Sequence, residues 1–289
     1  MNPVLIVENP AAGRRRRTRV AAKLARELGH FKLRSETLTL GIRELPSLTD
    51  PDRYGAFVVI GGDGTVRSVI QYLAGLQLDI PIAILSRGSG NIIAKSLRMP
   101  RSAHAVARLV HRGKTKAIDI AKLDSGEYFM AALAIGYIGT RVAATPQAVK
   151  KLLGFGGYLI SFAQQRRLPI HSFIFSVDGT EHAVTGHSLF IINTTRLFGM
   201  HARRSTGMDD GVYELAITVN KTFWSIPRAI TDFYVRKKAP RQLVLFRGKR
   251  FTMRCDDHAT IILDGESIPG HRSVALTVIP RGQRFLMQR

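Results

Sequence analysis

One short segment, residues 54–69, constrains the fold more than any other: YGAFVVIGGDGTVRSV. Its first half, Ala56 to Ile60, is apolar and rich in β-branched residues, as expected for a strand buried on both faces. Three glycines then surround one carboxylate, Asp63, before a helical pattern begins at Val66. Because glycine has no Cβ, such a loop lets another group come very close to the backbone. The segment therefore predicts a buried strand, a ligand-binding turn and a helix.

The first 117 residues repeat this alternation of strand and helix patterns. The predicted strands are 4–7, 31–40, 56–60 and 80–85, and the predicted helices are 16–29, 42–48, 66–74, 91–97 and 102–111. Strands that are apolar on both faces and alternate with helices predict a doubly wound, Rossmann-like parallel sheet. We assign residues 1–117 to this α/β domain, with 281–289 as a tail that could pack back on it.

The pattern changes after residue 117. Strands separated by turns are predicted at 118–123, 128–135, 172–177, 182–193, 213–219, 242–247, 250–256, 260–263 and 273–279. Helical patterns occur only at 147–167 and 223–236. The sequence therefore predicts a second domain, 118–280, that is mostly antiparallel, β-rich and sandwich-like.

Composition and charge restrict the class of protein. Hydrophobic residues make up 45% of the chain, so a packed core is expected. The single cysteine, Cys255, excludes an intrachain disulfide and a cysteine zinc cluster, and it favours a reducing, cytosolic environment. The longest apolar run, 129–139, is too short for a membrane-spanning helix. A formal net charge of +22 favours a polyanion as partner: nucleic acid, an anionic membrane surface or phosphorylated small molecules.

Three loops in the first domain indicate a phosphate site. NPAAG at 9–13, GGDGT at 61–65 and RGSGN at 87–91 each follow a predicted strand and precede a helix. Ligands of doubly wound sheets bind at this edge, where glycine-rich loops and helix N-termini favour anions. The three loops together predict a polyphosphate ligand, with Asp63 holding a metal that the phosphates also bind. The Walker pattern and a complete G-x-G-x-x-G after the first strand are absent, so an ordinary P-loop or dinucleotide site is not expected.

Further motifs narrow the family. GGDGT alone resembles the nucleotide loop that diacylglycerol kinases share with sphingosine, ceramide and NAD kinases and phosphofructokinases. NPAAG, GSGNIIAKSL at 88–97, GFGGYLISFAQQRR at 154–167, MDDGVYEL at 208–215 and LDGE at 263–266, followed by VIPRG, are similar to segments of the diacylglycerol kinase catalytic-domain family of lipid kinases. The resemblance runs in order over nearly the whole chain. It implies the same two-domain fold.

The resemblance also implies ATP and Mg²⁺ as cofactors, and residues that bind them. The implied ATP-binding residues are Asn9, Pro10, Ala11, Ala12, Gly13, Thr39, Gly61, Gly62, Asp63, Gly64, Thr65, Val66, Arg67, Ser89 and Asn91. Asp210, with the backbone carbonyls of Gly207 and Val212, is similar to the Mg²⁺ site of the family.

Glu266, Asp264 and Asp63 are the candidate catalytic residues. In an extended segment Asp264 and Glu266, two residues apart, would point the same way and face Asp63 across a cleft between the domains. One carboxylate would deprotonate a lipid hydroxyl while another held Mg²⁺ through water. Glu266 is preferred as the base, and Asp264 stays open for that role. The competing interpretation is a solvated hairpin turn, since Asp-Gly is a common turn dipeptide.

Two positions depart from the family pattern. Arg67 and Ser68 stand where the family usually has Asn-Glu, and Ser86-Arg87 replaces a segment that usually contains proline. These changes leave weak or altered activity open. Four consecutive arginines, 14–17, are expected to supply one phosphate contact and otherwise a solvated or membrane-facing basic surface.

We therefore expect an ATP- and Mg²⁺-dependent lipid kinase that phosphorylates a hydroxyl of a diacylglycerol-like or sphingoid-like membrane lipid. It is expected in the cytoplasm, peripheral to the inner face of the membrane. The alternatives are an NAD-kinase-like enzyme with a soluble substrate and a non-catalytic regulator that binds nucleotide or lipid. Nucleic acid is not the expected partner, a homodimer is left open, and the sequence does not identify the lipid.

Overall fold

The computed structural model describes residues 2–10, 19–40, 45, 48–88, 90–136, 170–194, 196–197, 200–201, 207–219, 243–255, 261–268 and 273–288. The chain divides into two compact units: unit 1 comprises residues 1–118 and 281–289, and unit 2 comprises residues 119–280. The predicted helices at 147–167 and 223–236 lie outside the described residues. No helix among the described ones is long and apolar enough to cross a membrane.

The described chain contains the following regular elements. The helices are α1 (Val20–His30), α2 (Asp63–Gly75), α3 (Ile92–Ser96) and α4 (Ala103–Arg112), with a 3₁₀ turn at Pro51–Arg53. The strands are β1 (Val4–Glu8), β2 (Ser35–Thr39), β3 (Ala56–Gly61), β4 (Ile82–Ser86), β5 (Thr115–Leu123), β6 (Tyr128–Phe129), β7 (Ala132–Gly136), β8 (His171–Val177), β9 (Thr180–Gly186), β10 (Ser188–Ile192), β11 (Arg196–Leu197), β12 (Met200–His201), β13 (Tyr213–Thr218), β14 (Leu243–Gly248), β15 (Arg250–Cys255), β16 (Ile261–Leu263), β17 (Glu266–Ile268) and β18 (Ser273–Leu286).

Unit 1 is built on a parallel sheet. Its strands follow the order β2-β1-β3-β4, every neighbouring pair is parallel, and the end of β18 lies parallel to β4. All six residues of β3 are buried, which explains why this strand is apolar throughout. Helices α1, α2 and α4 pack against β2, β3 and β4 respectively. The predicted α/β class of this part of the chain is confirmed.

The described part of unit 2 contains two larger antiparallel sheets besides the two-stranded pair β11-β12. One has the order β14-β13-β10-β7-β16-β17. In the other, the first part of β18 is followed by β15, β8 and β9, and β5 pairs with β18 and with β6. Buried side chains from both sheets form a single hydrophobic cluster that includes Leu133, Phe175, Leu215 and Phe251. The core of unit 2 therefore lies between two sheets, as the predicted β-rich, sandwich-like class requires.

Two predicted strands are each divided in two. The predicted strand 128–135 is β6 and β7, because the N–H groups of Met130 and Ala131 leave the ladder and bond to the carboxylate of Asp264. The predicted strand 182–193 is β9 and β10, which belong to different sheets. The chain changes sheet at Gly186, where a Cβ would lie only 2.6 Å from the side chain of Ile217.

Candidate active site

The carboxyl ends of the parallel strands in unit 1 form one row. Glu8 at the end of β1 lies opposite Thr39 of β2 and Ile60 of β3, and Ile60 lies opposite Leu85 of β4. The chain continues from this row into the three loops singled out in the sequence. Their described parts therefore lie at the sheet edge where doubly wound folds bind ligands.

The first loop is joined to the second by Asn9. Its backbone N–H donates to the carbonyl of Ile60 at 3.0 Å, and its side-chain amide donates to Oγ1 of Thr65 at 3.1 Å. Thr65 is buried, and a Cβ on Gly61 would lie 2.5 Å from its Oγ1. Gly61 is therefore required by the packing of Thr65.

The second loop is joined to the third by direct backbone packing. A Cβ built on Gly88 would lie 2.6 Å from the Cα of Gly62, and one built on Gly62 would lie 3.1 Å from the Cα of Gly88. The N–H of Arg87 also donates to the carbonyl of Gly61 at 2.7 Å. The close approach that the glycines of GGDGT predict is thus found, and the group that approaches is the neighbouring loop.

Two polar side chains of the motifs hold these loops in shape. Asp63 lies in the first turn of α2, and its Oδ1 accepts the N–H of Ile93 at 3.0 Å. Asn91 has a left-handed backbone (φ +50°), and its side chain accepts from the N–H of Gly88 at 2.9 Å and donates to the carbonyl of Gly88 at 2.6 Å. The Asp63 carboxylate therefore fixes the start of α3 relative to the GGDGT loop.

The remaining residues implied for ATP binding differ in their exposure. Pro10 and Thr39 are exposed at the edge, whereas Val66 is buried in the core and its N–H donates to the carbonyl of Gly62 within α2. Arg67 is half-buried, and Gly64 accepts from the Ser68 hydroxyl at 3.1 Å. Ala11, Ala12, Gly13 and Ser89 lie outside the described residues.

In unit 2, Asp264 and Gly265 form the two-residue turn of a hairpin between β16 and β17. Both have positive φ, +49° and +91°, as a type I′ turn requires. The segment is not extended, so the prediction that Asp264 and Glu266 point the same way is wrong. The hairpin interpretation is correct in shape, but Asp264 is only 3% exposed and the turn is not simply solvated.

The Asp264 carboxylate is engaged by backbone groups. Its Oδ2 accepts from the N–H of Met130 at 2.9 Å, and its Oδ1 accepts from the N–H groups of Ala131 and Ala132 at 2.8 and 2.9 Å. Both oxygens are therefore occupied in holding the segment between β6 and β7. Glu266, the next carboxylate along the chain, is half-buried in β17.

The candidate metal loop, 207–212, contains Asp210 between Gly207 and Val212. One Asp210 oxygen, Oδ2, accepts from the guanidinium of Arg247 at 2.7 Å, and Oδ1 lies 3.4 Å from the N–H of Val212. A carboxylate and backbone carbonyls are the hard oxygen ligands that suit Mg²⁺, which commonly uses one or two carboxylates and keeps several waters. The residues fit Mg²⁺ in kind, but Arg247 shares the carboxylate. Within the described ranges, no group of three or more His, Cys, Asp or Glu side chains is arranged to hold a metal ion.

Sequence reasoning missed Asp119 and Tyr213. Asp119 is fully buried in β5, its Oδ2 accepts the N–H of Gly211 at 2.6 Å, and its own N–H donates to the carbonyl of Met208 at 2.8 Å. Tyr213 is also fully buried, and burial raises the pKa of its phenol well above the usual range. A lone carboxylate within the apolar run AIDIA was the signal that could have identified Asp119.

The sequence profile of the diacylglycerol kinase catalytic domain matches residues 3–123. A protein of Yersinia enterocolitica named "Probable lipid kinase YegS-like" is 32% identical over 270 residues, which cover 86% of this chain and 87% of that protein. The chain belongs to the diacylglycerol kinase catalytic-domain family. The family predicted from the motifs is thereby confirmed.

Other members of the diacylglycerol kinase family match over different lengths. A protein of the same name from Pectobacterium atrosepticum is 31% identical over 158 residues, so the chain spans about half (52%) of that relative's length. A solved structure from Bacillus anthracis strain Sterne has a TM-score of 0.79 at 20% identity and covers 99% of this chain and 95% of its own. A second from that strain, described as a diacylglycerol kinase, has a TM-score of 0.72 at 17% identity, with 99% and 97% covered. These structures show the shared fold.

Proposed function

We propose that this protein is an ATP- and Mg²⁺-dependent lipid kinase, which transfers the γ-phosphoryl group of ATP to a hydroxyl of a membrane lipid. One observation supports the proposal above all: the GGDGT loop and the loop at 87–91 are interlocked at the carboxyl edge of a parallel sheet. Such preformed loops present backbone N–H groups to phosphates without further ordering. Family membership and relatives named as lipid kinases favour a lipid as the acceptor.

The chemistry assigns a different task to each carboxylate. Glu266 would accept the proton of the lipid hydroxyl while the hydroxyl oxygen forms a bond to the γ-phosphorus of ATP. The bond between that phosphorus and the leaving oxygen of ADP would break in the same step. Both oxygens of Asp264 already accept backbone N–H groups, so Asp264 would not be the base. It would instead hold in place the turn that precedes Glu266. Asp210 would hold Mg²⁺, whose charge, when the ion is bound, would offset that of the phosphates.

Lipid phosphorylation can be tested with labelled ATP, Mg²⁺ and mixed micelles. The panel would contain diacylglycerol, monoacylglycerol, sphingosine, ceramide, phosphatidylglycerol and a polyprenol, with NAD as a soluble acceptor. We expect label in one lipid, reduced at least about 100-fold in Glu266→Gln because the general base is lost. The matched control, Glu181→Gln, changes an exposed glutamate of β9 and should retain full activity.

The outcomes separate the competing functions. Label in NAD and in no lipid would contradict the proposal and favour a soluble-substrate kinase. ATP binding without turnover on any acceptor would favour a non-catalytic regulator. Equal loss of activity in both glutamate variants would contradict the role of Glu266.

We further propose that the protein acts in the cytoplasm at the inner face of the membrane. The net charge of +22 supports this, because each basic residue near an anionic surface contributes about 1 kcal/mol of attraction. Sedimentation with phosphatidylcholine vesicles, with and without phosphatidylglycerol, measures the effect. We expect binding only to the anionic vesicles and release at high salt; equal binding to both vesicle types would contradict the proposal.

A further inference from the structure

Two segments of unit 2 contain the acidic residues to which the proposed function assigns chemistry. One is the turn Asp264-Gly265, which precedes Glu266, and the other is the loop 207–212, which contains Asp210. We propose that Tyr213 is a positioning residue that couples these two segments, so that a displacement of one displaces the other. The inference concerns unit 2 alone; its importance for catalysis rests on the proposed function.

The connection begins at the turn. Asp264 accepts three backbone N–H groups, one of which belongs to Met130, at 2.9 Å. The N–H of Asp264 donates in return to the carbonyl of Ala132 at 2.8 Å. The segment between β6 and β7 is therefore held by the turn from both directions. The carbonyl of Met130 points to the hydroxyl of Tyr213, which donates to it at 3.1 Å.

The connection continues from Tyr213 to the second segment. The same hydroxyl donates to the carbonyl of Asp119 at 3.2 Å. Asp119 holds the 207–212 loop by two bonds: its carboxylate accepts the N–H of Gly211 at 2.6 Å, and its N–H donates to Met208 at 2.8 Å. The phenol oxygen of Tyr213 thus connects Met130, whose backbone is held by Asp264, to Asp119, which holds the 207–212 loop.

The chemistry of this hydroxyl suits a coupling role. A phenol has one hydrogen, so the two carbonyls share it, and movement of either carbonyl transfers the bond to the other. Tyr213 is 0% exposed, so water cannot replace a lost partner without opening the core.

Asn193 provides a second, parallel link. Its backbone N–H donates to the carbonyl of Ala131 at 2.9 Å, and its side-chain amide donates to the carbonyl of Asp119 at 3.2 Å. Asn193 is 4% exposed. The two links meet at the Asp119 carbonyl, which has two lone pairs for them. Removal of the Tyr213 hydroxyl should therefore weaken the coupling strongly, and removal of both links should abolish it.

Hydrogen exchange of the two segments tests the coupling without reference to catalysis. Asp264→Asn serves as the perturbation, because asparagine keeps the turn conformation while its side-chain amide cannot accept as the carboxylate does. In the otherwise unchanged chain we expect faster exchange both at 130–132 and at 208–211, by about fivefold for the loss of one hydrogen bond. With Tyr213→Phe also present, the effect of Asp264→Asn at 130–132 should persist, while its effect at 208–211 should be strongly reduced, because only the Asn193 link remains.

Two controls complete the test. Tyr213→Phe keeps the ring and its edge-to-face contact with Phe129 at 5.7 Å, so the fold is retained. Phe251→Leu destabilises the same core and changes neither link. In that variant, Asp264→Asn should still speed hydrogen exchange at 208–211. Asp264→Asn together with Tyr213→Phe and Asn193→Ala should give no effect at 208–211. Exchange at 208–211 that responds equally to Asp264→Asn with tyrosine or phenylalanine at position 213 would overturn the proposal.

A kinetic readout connects the coupling to function. If the protein phosphorylates lipid, Tyr213→Phe should lower kcat and raise the Mg²⁺ concentration that gives the half-maximal rate. The two changes multiplied together should amount to about fivefold, and KM for ATP should be unchanged. Phe251→Leu, assayed well below its melting temperature, should change none of these. No activity in any form of the protein would count against the proposed function alone, since the exchange experiment would still decide the coupling.

Discussion

Among the described residues, four aspartates accept hydrogen bonds from backbone N–H groups that are remote in sequence. Asp63 binds Ile93, Asp119 binds Gly211, Asp264 binds Met130 to Ala132, and Asp178 binds Lys249 and Arg250. A carboxylate satisfies several N–H groups at once with charge-assisted bonds, which short loops cannot do among themselves. At the residue scale, these aspartates therefore tie their own segments to segments that are remote in sequence.

Asp264 is the most heavily used of the four, and we predict that Asp264→Ala destabilises the protein. Three N–H groups would lose their acceptor in a buried position, which should lower the free energy of unfolding by about 3 kcal/mol or more. Urea unfolding followed by circular dichroism measures the change. The control is Asp124→Ala, an exposed aspartate after β5, which should cost less than about 0.5 kcal/mol. Equal costs would contradict the role given to Asp264.

Arg247 competes with a cation for Asp210, so Arg247→Met should strengthen Mg²⁺ binding. The guanidinium lies 2.7 Å from Asp210 Oδ2 and is partly exposed. Loss of such a surface ion pair should raise the affinity about two- to fivefold. Calorimetric titration of the protein with Mg²⁺ measures this without an activity assay. Arg254→Met, an exposed arginine of β15, is the matched control; an unchanged affinity in Arg247→Met would show that Asp210 does not bind the ion.

Residue positions were predictable from the sequence, whereas their bonding was not. The motif spacing placed Asp63 and Asn91 at strand ends, whereas it favoured an extended segment at Asp264, which lies in a turn. Nothing in the sequence indicated that Asp264 reaches residues 130–132, because that contact depends on how β16 pairs with β7. Asp119 lies in an apolar strand and forms no motif, so only its isolated charge marked it.

At the scale of elements, hairpin turns fix the arrangement of strands in unit 2. Asp178 and Gly179 form the turn between β8 and β9, with φ of +50° and +92°. The Asp178 carboxylate also accepts the N–H groups of Lys249 and Arg250, which follow β14. One side chain therefore holds two turns, and it links strands of the two antiparallel sheets.

This arrangement predicts a pH dependence of stability. The backbone N–H of Arg250 is the main cause that lowers the pKa of Asp178 below its usual value. Because the folded-state pKa is depressed, the contribution is fully present above the unfolded pKa and is lost as pH falls through the folded pKa. We expect Asp178→Asn to be less stable than the parent protein near neutral pH, with the difference vanishing in acid. Unfolding midpoints from pH 7 downward measure it; a difference independent of pH would contradict the assignment.

Most elements could be predicted from periodicity, and the exceptions share a cause. In unit 1, β1, β3 and β4 are buried on both faces and adjoin helices, so the pattern locates them within a few residues. In unit 2 the run 128–135 remains apolar and the run 182–193 keeps a strand-like pattern where the chain bends, so periodicity does not show the break. Such a bend is decided by tertiary hydrogen bonds at Met130 and by packing at Gly186.

At the scale of the whole molecule, the chain passes between its two units twice, within β5 and within β18. The end of β18 completes unit 1: Phe285 pairs with Ile82 of β4 and is fully buried, and the Gln283 side chain donates to the carbonyl of Ile80 at 2.9 Å. The two fold classes could be predicted, since each has its own pattern. The packing of the end of β18 beside β4 could not be derived from the sequence, because periodicity in a short terminal segment does not indicate which strand it pairs with.

Removal of residues 281–289 should therefore destabilise unit 1 although it leaves residues 1–118 intact. Loss of the buried Phe285 alone should cost about 3–5 kcal/mol. Hydrogen exchange at β4, compared between the parent and the shortened chain, measures the effect where it is expected. The control is removal of residues 288–289 only, which should change the protection of β4 little. Met287 would remain in that chain, and its N–H donates to the carbonyl of Lys114. Unchanged protection of β4 in the shorter chain would contradict this role of β18.

The position of β18 also bears on how the protein is made. A nascent chain leaves the ribosome with its amino end first, and domains ordinarily fold as they emerge. Here β4 gains the end of β18 as its neighbour only after all of unit 2 has been synthesised. During that interval the edge of β4 remains open to pairing with other nascent chains. The cell must therefore protect an unfinished unit 1 for as long as unit 2 takes to be translated, and a stalled ribosome would leave an aggregation-prone fragment.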